Sequence, residues 1–337
     1  MSSILTKGIK HTNQRGINKM AGTNRLYVRA IYLIIIALLL ATAASAQRKS
    51  KKPQPPAGNA VMWEKVNIKK RDLFYGPGGR DMMPDVSRVT FIKEEKGGHN
   101  KKFRIKDAAG RTWVAKLGRE AQPETVTNRL LWALGYKTEI NYLVPTITIP
   151  GKGTFQNVRL EARPDNVDRL EEWKWKENPF TGTNELQGLK MMMVFFNNWD
   201  VLDLQNQVLK VDGKHGTEQH YIVSDLGSTM GRLGNNNLPI IYRLGRSTGK
   251  PNHYAKSKFV KGAKDGEVIL AYKGKNRGLF KHITVEQGRW LADLLLRLDE
   301  KQVRDAFRAA NYSHSDIDIY TSAVLKRIDD LDRATAY

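Results

Sequence analysis

The sequence predicts an α+β protein of two lobes, a strand-rich N-terminal lobe followed by a helical C-terminal lobe. Three observations predict it. Short β-branched and aromatic runs separated by turn residues fill the stretch up to about Ile149, three helical repeats of apolar residues close the chain after Ile283, and two aspartate-bearing loops fall between them. With 337 residues and 40% hydrophobic content, the chain is long enough for two lobes around a packed core.

Residues 1–46 read as a secretory signal. Six Lys or Arg and no acid precede the run IYLIIIALLLATAASA, which ends in the small-residue pattern Ala44-Ser45-Ala46 and is short for a membrane span. The expectation is an exported protein, periplasmic or extracellular, with the segment either cleaved or kept as an anchor, and with translation starting at Met1 or Met20. Residues 47–59, basic and Pro-rich, read as a flexible tether. Residues 60–158 are assigned to the strand-rich lobe. SRVTFIKEE, KKFRIKD and RTWVAKLG are its first strands, with Asp107–Gly110 turning the last two into a hairpin. QPETVTNRLLWALGY is a helix with Val126, Leu130, Leu131 and Leu134 on its apolar face and Gly135 as its stop. YLVPTITIP and FQNVRLEARP are a further strand pair.

Residues 159–337 are assigned to the helical lobe. It opens with a Trp-rich insert, EEWKWKENPFTGT, read as an exposed flap packed against the lobe in preference to a surface that stacks on bases or sugars. NELQGLKMMMVFFNN follows as a helix, with Asn184 and Gln187 as its capping pair. After a loop-rich basic stretch to His282, the helices ITVEQGRWLADLLLRL, EKQVRDAFRAA and SDIDIYTSAVLKRIDDL close the chain, the first with Thr284 and Gln287 as a capping box.

The formal net charge of +22 favours anionic partners, and removing the six cations of the signal from +22 leaves +16, so the basic character belongs to the domain. The absence of cysteine excludes disulfides, thiolate nucleophiles and Cys-ligated metals. No HExxH pattern supports a zinc hydrolase, Ser228 lacks the spacing of a nucleophile elbow, and no recognised module supports nucleic-acid binding. GRSTGK, Gly245–Lys250, resembles a phosphate loop but has its glycines one residue too close and Pro251 where Ser or Thr is needed.

Five residues stand out for chemistry. Lys116 ends the apolar strand Trp113-Val114-Ala115, where a lysine can reach phosphates, and Glu124 in the next helix can orient it, with Glu120 as the competing choice. Asp200 and Asn206 lie in the loop NNWDVLDLQNQVL, and Asp225 follows the β-branched run of YIVSDLGSTMG. A carboxylate at a strand end beside an amide oxygen suits a hard divalent cation, while an aspartate such as Asp200, or Asp203 in its place, can accept a hydroxyl proton.

The stretches TWVAKLG, PETVTNRLLWALGY, NNWDVLDLQNQVL and IVSDLGSTMG, in that order, resemble the protein-kinase-like fold in its divergent branch of HipA-type, spore-coat CotH and phosphoinositide kinases. The resemblance implies that Lys116 holds phosphates, that Glu124 pairs with it, that Asp200 is the catalytic base, and that Asn206 and Asp225 bind Mg²⁺ or Mn²⁺ with ATP or another nucleotide. Asp200 and Asn206 are one residue further apart than is usual in kinases, and the glycine cluster YGPGGR lies well upstream of Lys116. The expected function is an exported phosphotransferase acting on an anionic envelope component or a protein substrate. The alternative is an inactive module that uses the cleft or basic face to bind an anionic envelope polymer or lipid headgroup.

Overall fold

A computed structural model describes residues 59–96, 100–213, 216–232 and 247–336, all within one unit, Ala57–Tyr337. The expected signal and most of the tether lie outside the described residues. Among the described residues no helix is long and apolar enough to cross a membrane.

The described residues open with strand β1 (Asn59–Val61), which takes in the last residue assigned to the tether, and continue through β2 (Thr90–Glu95), β3 (Lys102–Lys106) and β4 (Thr112–Lys116) to helix α1 (Ala121–Ala133). Strands β5 (Asn141–Ile149) and β6 (Gly153–Ala162) complete an antiparallel sheet ordered β2-β3-β4-β6-β5. The expected lobe boundary at 158/159 falls inside β6, because VRLEA continues the alternation that pairs it with β4. Alternation also splits the sheet by chemistry. Phe103, Ala115, Leu160 and Tyr142 stand opposite one another across β3, β4, β6 and β5 and fill a core on one face. The register places Lys102, Lys116 and Arg159 in one row on the other face, and Arg104, Val114 and Glu161 in the next.

A second sheet has the order β1-β9-β8-β7, with β7 (Val167–Arg169) following the first sheet directly and β8 (Asn206–Gly213) and β9 (Gly216–Val223) forming a hairpin. β1 pairs parallel with β9, a non-local contact that sequence patterning does not announce. Between β7 and β8 lies α2 (Asn184–Phe195), capped by Thr183, whose hydroxyl accepts from the Leu186 N–H, and not by the expected Asn184/Gln187 pair. Thr183 is extended and Asn184 already helical, so only Thr183 has the backbone of a cap.

The Trp-rich insert packs on the lobe through its two tryptophans, while most of its other residues are exposed. Trp173 and Trp175 are 3% and 2% exposed, and Trp173 donates its indole N–H to the Ile222 carbonyl at 2.7 Å. Their flanking lysines alternate outward, and this alternation gave the segment its polar appearance. The short helix α3 (Pro251–Ala255), the hairpin β10 (Val260–Lys264) and β11 (Glu267–Leu270), and the helices α4 (Val285–Leu295), α5 (Glu300–Ala309) and α6 (His314–Thr335) complete the fold. The Thr284/Gln287 capping box is present at α4, and Asp299/Gln302 form a second one at α5. Their apolar faces join α1 and α2 in one large core. The architecture is therefore α+β, with a strand-rich and a helical part.

Candidate active site

Three of the five expected residues meet at the polar face of the first sheet. Lys116 is the last residue of β4 and 4% exposed, and its Nζ lies 2.8 Å from Glu124 Oε2 and 3.3 Å from Asp225 Oδ1. α1 lies over the sheet and turns Glu124 into it, so that this carboxylate bridges Lys116 and Arg159, whose Nη2 is 3.0 Å from Oε1. Glu120, the competing choice, stands just before the helix and is 3.8 Å from Lys116, with a hydrogen bond from Asn100 instead. One helical turn decides between the two acids.

Asp225 reaches the cleft because the backbone is pinned behind it. The N–H groups of Ser224 and Asp225 both donate to the Gln205 carbonyl, at 2.8 and 3.2 Å, as the β8/β9 ladder ends. Its Oδ1 accepts from the Gly227 N–H at 3.2 Å. Position 227 requires glycine, since a Cβ there would stand 2.5 Å from Glu120 Cβ. Asn206 opens β8 opposite Val223, two residues before Asp225, and its Nδ2 donates to the Trp173 carbonyl at 2.9 Å. Its Oδ1 is buried and has no partner. An orphaned amide oxygen of this kind, on the strand that pairs up to the segment holding Asp225, is a fitting ligand for a hard divalent cation. Among the described residues no group of three or more His, Asp or Glu is placed to hold a metal ion.

Asp200 has partners of its own. Gln205 Nε2 donates to its Oδ2 at 3.0 Å and Lys275 Nζ lies 2.7 Å from its Oδ1. Asp203, the alternative, is exposed and accepts from the Trp175 N–H at 3.0 Å, which anchors the Trp-rich insert. The glycine cluster Tyr75–Arg80 serves the fold as well. Tyr142 Oη donates to the Gly79 carbonyl at 2.6 Å, and Arg129 donates to the Phe74 carbonyl. The segment between β2 and β3 carries another pair, Gly97-Gly98, within residues 97–99, which lie outside the described set.

Sequence reasoning missed the charges around this core. Arg159 Nη2 lies 2.7 Å from Glu161 Oε2, Glu161 also pairs with Arg163, and Arg169 from β7 reaches Glu139 and Glu161. Arg169 also donates to Ser224 Oγ at 2.9 Å, which ties the second sheet to the residue before Asp225. The available signal was VRLEAR, where Arg159, Glu161 and Arg163 alternate with apolar residues.

Electrostatics follow from this packing. Burial alone would lower the Lys116 ammonium, but the Glu124 and Asp225 carboxylates outweigh it and raise its pKa, so it stays charged. Burial works to raise Asp225, yet Lys116 and the Gly227 N–H hold it below the usual carboxylate range. Burial pushes the Glu124 carboxyl up to about 7 against Arg159 and Lys116, so Glu124 is the member of its ion pair that gives way near neutrality. A carboxyl raised on folding contributes stability that is full below its unfolded value of 4.5 and is lost as pH rises through about 7. The stability of the parent relative to Glu124→Gln is therefore expected to fall across that window. Urea midpoints of both proteins check it, and two parallel pH curves would refute it.

No family model matches the chain, and no curated protein matches it. Among solved structures, the chain is similar to a Helicobacter pylori proinflammatory kinase, CtkA. The similarity has 10% identity and a TM-score of 0.43, over 74% of this chain and 94% of that one.

Proposed function

We propose that the protein is a kinase-like phosphotransferase that moves a phosphoryl group from a phosphate donor such as a nucleoside triphosphate to a hydroxyl of an envelope substrate. The observation that carries this reading is the placement of Lys116 Nζ between Glu124 and Asp225, at 2.8 and 3.3 Å. A fixed ammonium beside a cleft carboxylate is the arrangement that orients phosphate oxygens. Asn206 and Asp225 would hold Mg²⁺ or Mn²⁺, which when bound neutralises phosphate charge. Lys116 binds the phosphate chain and Glu124 fixes its direction. Asp200 orients the acceptor hydroxyl and takes its proton, with Lys275 Nζ 2.7 Å from its Oδ1 to hold the carboxylate in position.

Export is part of the proposal and rests on residues 1–46. The net charge of +22 supports an anionic acceptor surface. Thermal unfolding of the protein with ATP, with and without Mg²⁺ or Mn²⁺, is the test. A midpoint that rises only when metal and ATP are both present is expected, together with transfer of labelled phosphate to the protein or to envelope extract. No metal-dependent shift and no transfer would remove the transferase reading.

A further inference from the structure

Resting on the transferase reading, we infer that the cleft takes a condensed-phosphate chain and makes no demand for a nucleobase. The cavity at Lys116 and Asp225 measures about 110 Å³. Pockets that enclose drug-sized molecules are roughly 300–1,000 Å³. Five cations line it, Lys102, Lys116, Arg159, Arg163 and Arg169, against the three carboxylates of Glu124, Glu161 and Asp225. Among the described residues Val114 is its one apolar wall, and they offer a planar base no apolar slot.

Two groups there wait for an anion. Arg159 is 3% exposed, yet its Nε is a buried donor without an acceptor. Lys102 stands directly opposite Lys116 on the neighbouring strand and makes no ion pair among the described residues. Like charges so placed repel, and a bound polyanion would relieve them. A base could be housed in the larger cavity of about 240 Å³ behind this one, lined by Trp132, Ile140, Pro164 and Leu209. The two share Arg163 and Arg169 as a common wall, and the pairs Arg163–Glu161 and Arg169–Glu139 hold that wall in place. Reaching through it would take arginine partners from the buried carboxylates of Glu161 and Glu139, which is costly.

The test is calorimetric titration of the full chain in Mg²⁺ with inorganic tripolyphosphate, ATP, GTP and adenosine. Tripolyphosphate is expected to bind within tenfold of both nucleotides, and adenosine not to bind. Lys102→Ala removes the like-charge neighbour of Lys116 and so leaves folding intact. It is expected to weaken tripolyphosphate and ATP alike, by roughly 10–100-fold for the loss of one charged hydrogen-bond donor. ATP binding more than tenfold tighter than tripolyphosphate, adenosine competing with ATP, or Lys102→Ala binding as the parent does would each overturn this inference and leave the transferase reading standing. If neither tripolyphosphate nor any nucleotide binds, both fall.

Discussion

Asp225→Ala is expected to abolish metal-dependent nucleotide binding, whereas Asp200→Asn leaves binding nearly intact and lowers turnover by roughly 10²–10⁴-fold, the range typical of a lost general base. The difference follows from where each carboxylate sits. Asp225 faces Lys116 at 3.3 Å and follows the strand that pairs with Asn206, so it is the charged member of the proposed cation site. A hard cation held by one carboxylate and one amide loses most of its affinity with that carboxylate. Asp200 is bound instead by Gln205 and Lys275, and its side chain remains 17% exposed, which leaves it open to an incoming hydroxyl. Asparagine keeps the shape and the Gln205 contact while removing the basicity. Titration of Mg²⁺ and ATP into both variants, with turnover measured in parallel, distinguishes the roles. Asp225→Ala binding as tightly as the parent would remove the metal pair. A large loss of binding in Asp200→Asn would mean that Asp200 contacts the ligand and not the acceptor.

The parts of this site that local chemistry dictates were legible in the sequence. Lys116 ends the continuous apolar run Trp113-Val114-Ala115, and Asp225 follows another, Tyr221-Ile222-Val223, so both could be placed at strand ends from the sequence. The choice of Glu124 over Glu120 depended on where α1 begins, which fixes the residues that face the sheet, and helix starts are weakly encoded. Arg159, Glu161 and Arg163 were overlooked because charges alternating along a strand ordinarily mark a solvated face. Here that face is covered by α1 and the second sheet, and burial depends on contacts far apart in the chain. The parallel pairing of β1 with β9 was hidden for the same reason, since no turn joins the two strands. Trp173 and Trp175 were read as lying in an exposed flap packed on the lobe, and the segment sits in that way. Their alternating lysines suggested exposure, while the aromatic rings themselves belong to the core.

Arg159→Met is expected to cost about 3–5 kcal/mol of stability, the range for breaking a buried ion pair by removing one partner. Arg159, Glu124 and Glu161 have side chains only 4%, 2% and 6% exposed, so solvent cannot replace the missing guanidinium. Glu124→Met should cost a similar amount, because it leaves Arg159 and Lys116 side by side in one row of the sheet without the carboxylate that separates them. The double variant is expected to cost less than the two singles together, by roughly 1–3 kcal/mol, within the coupling range for contacting residues. The reason is in the remaining partners. With both groups gone, Lys116 keeps Asp225 at 3.3 Å, and Glu161 keeps Arg163 and Arg169, so no charge in the cluster is left buried alone. Urea unfolding of the parent, both singles and the double at about pH 8, above the value near 7 at which Glu124 ionises, measures the coupling directly. Strictly additive losses would mean that Arg159 and Glu124 are stabilised independently. The row Lys102–Lys116–Arg159 would then have to be held by its strands alone, and the bridging role assigned to Glu124 would be wrong.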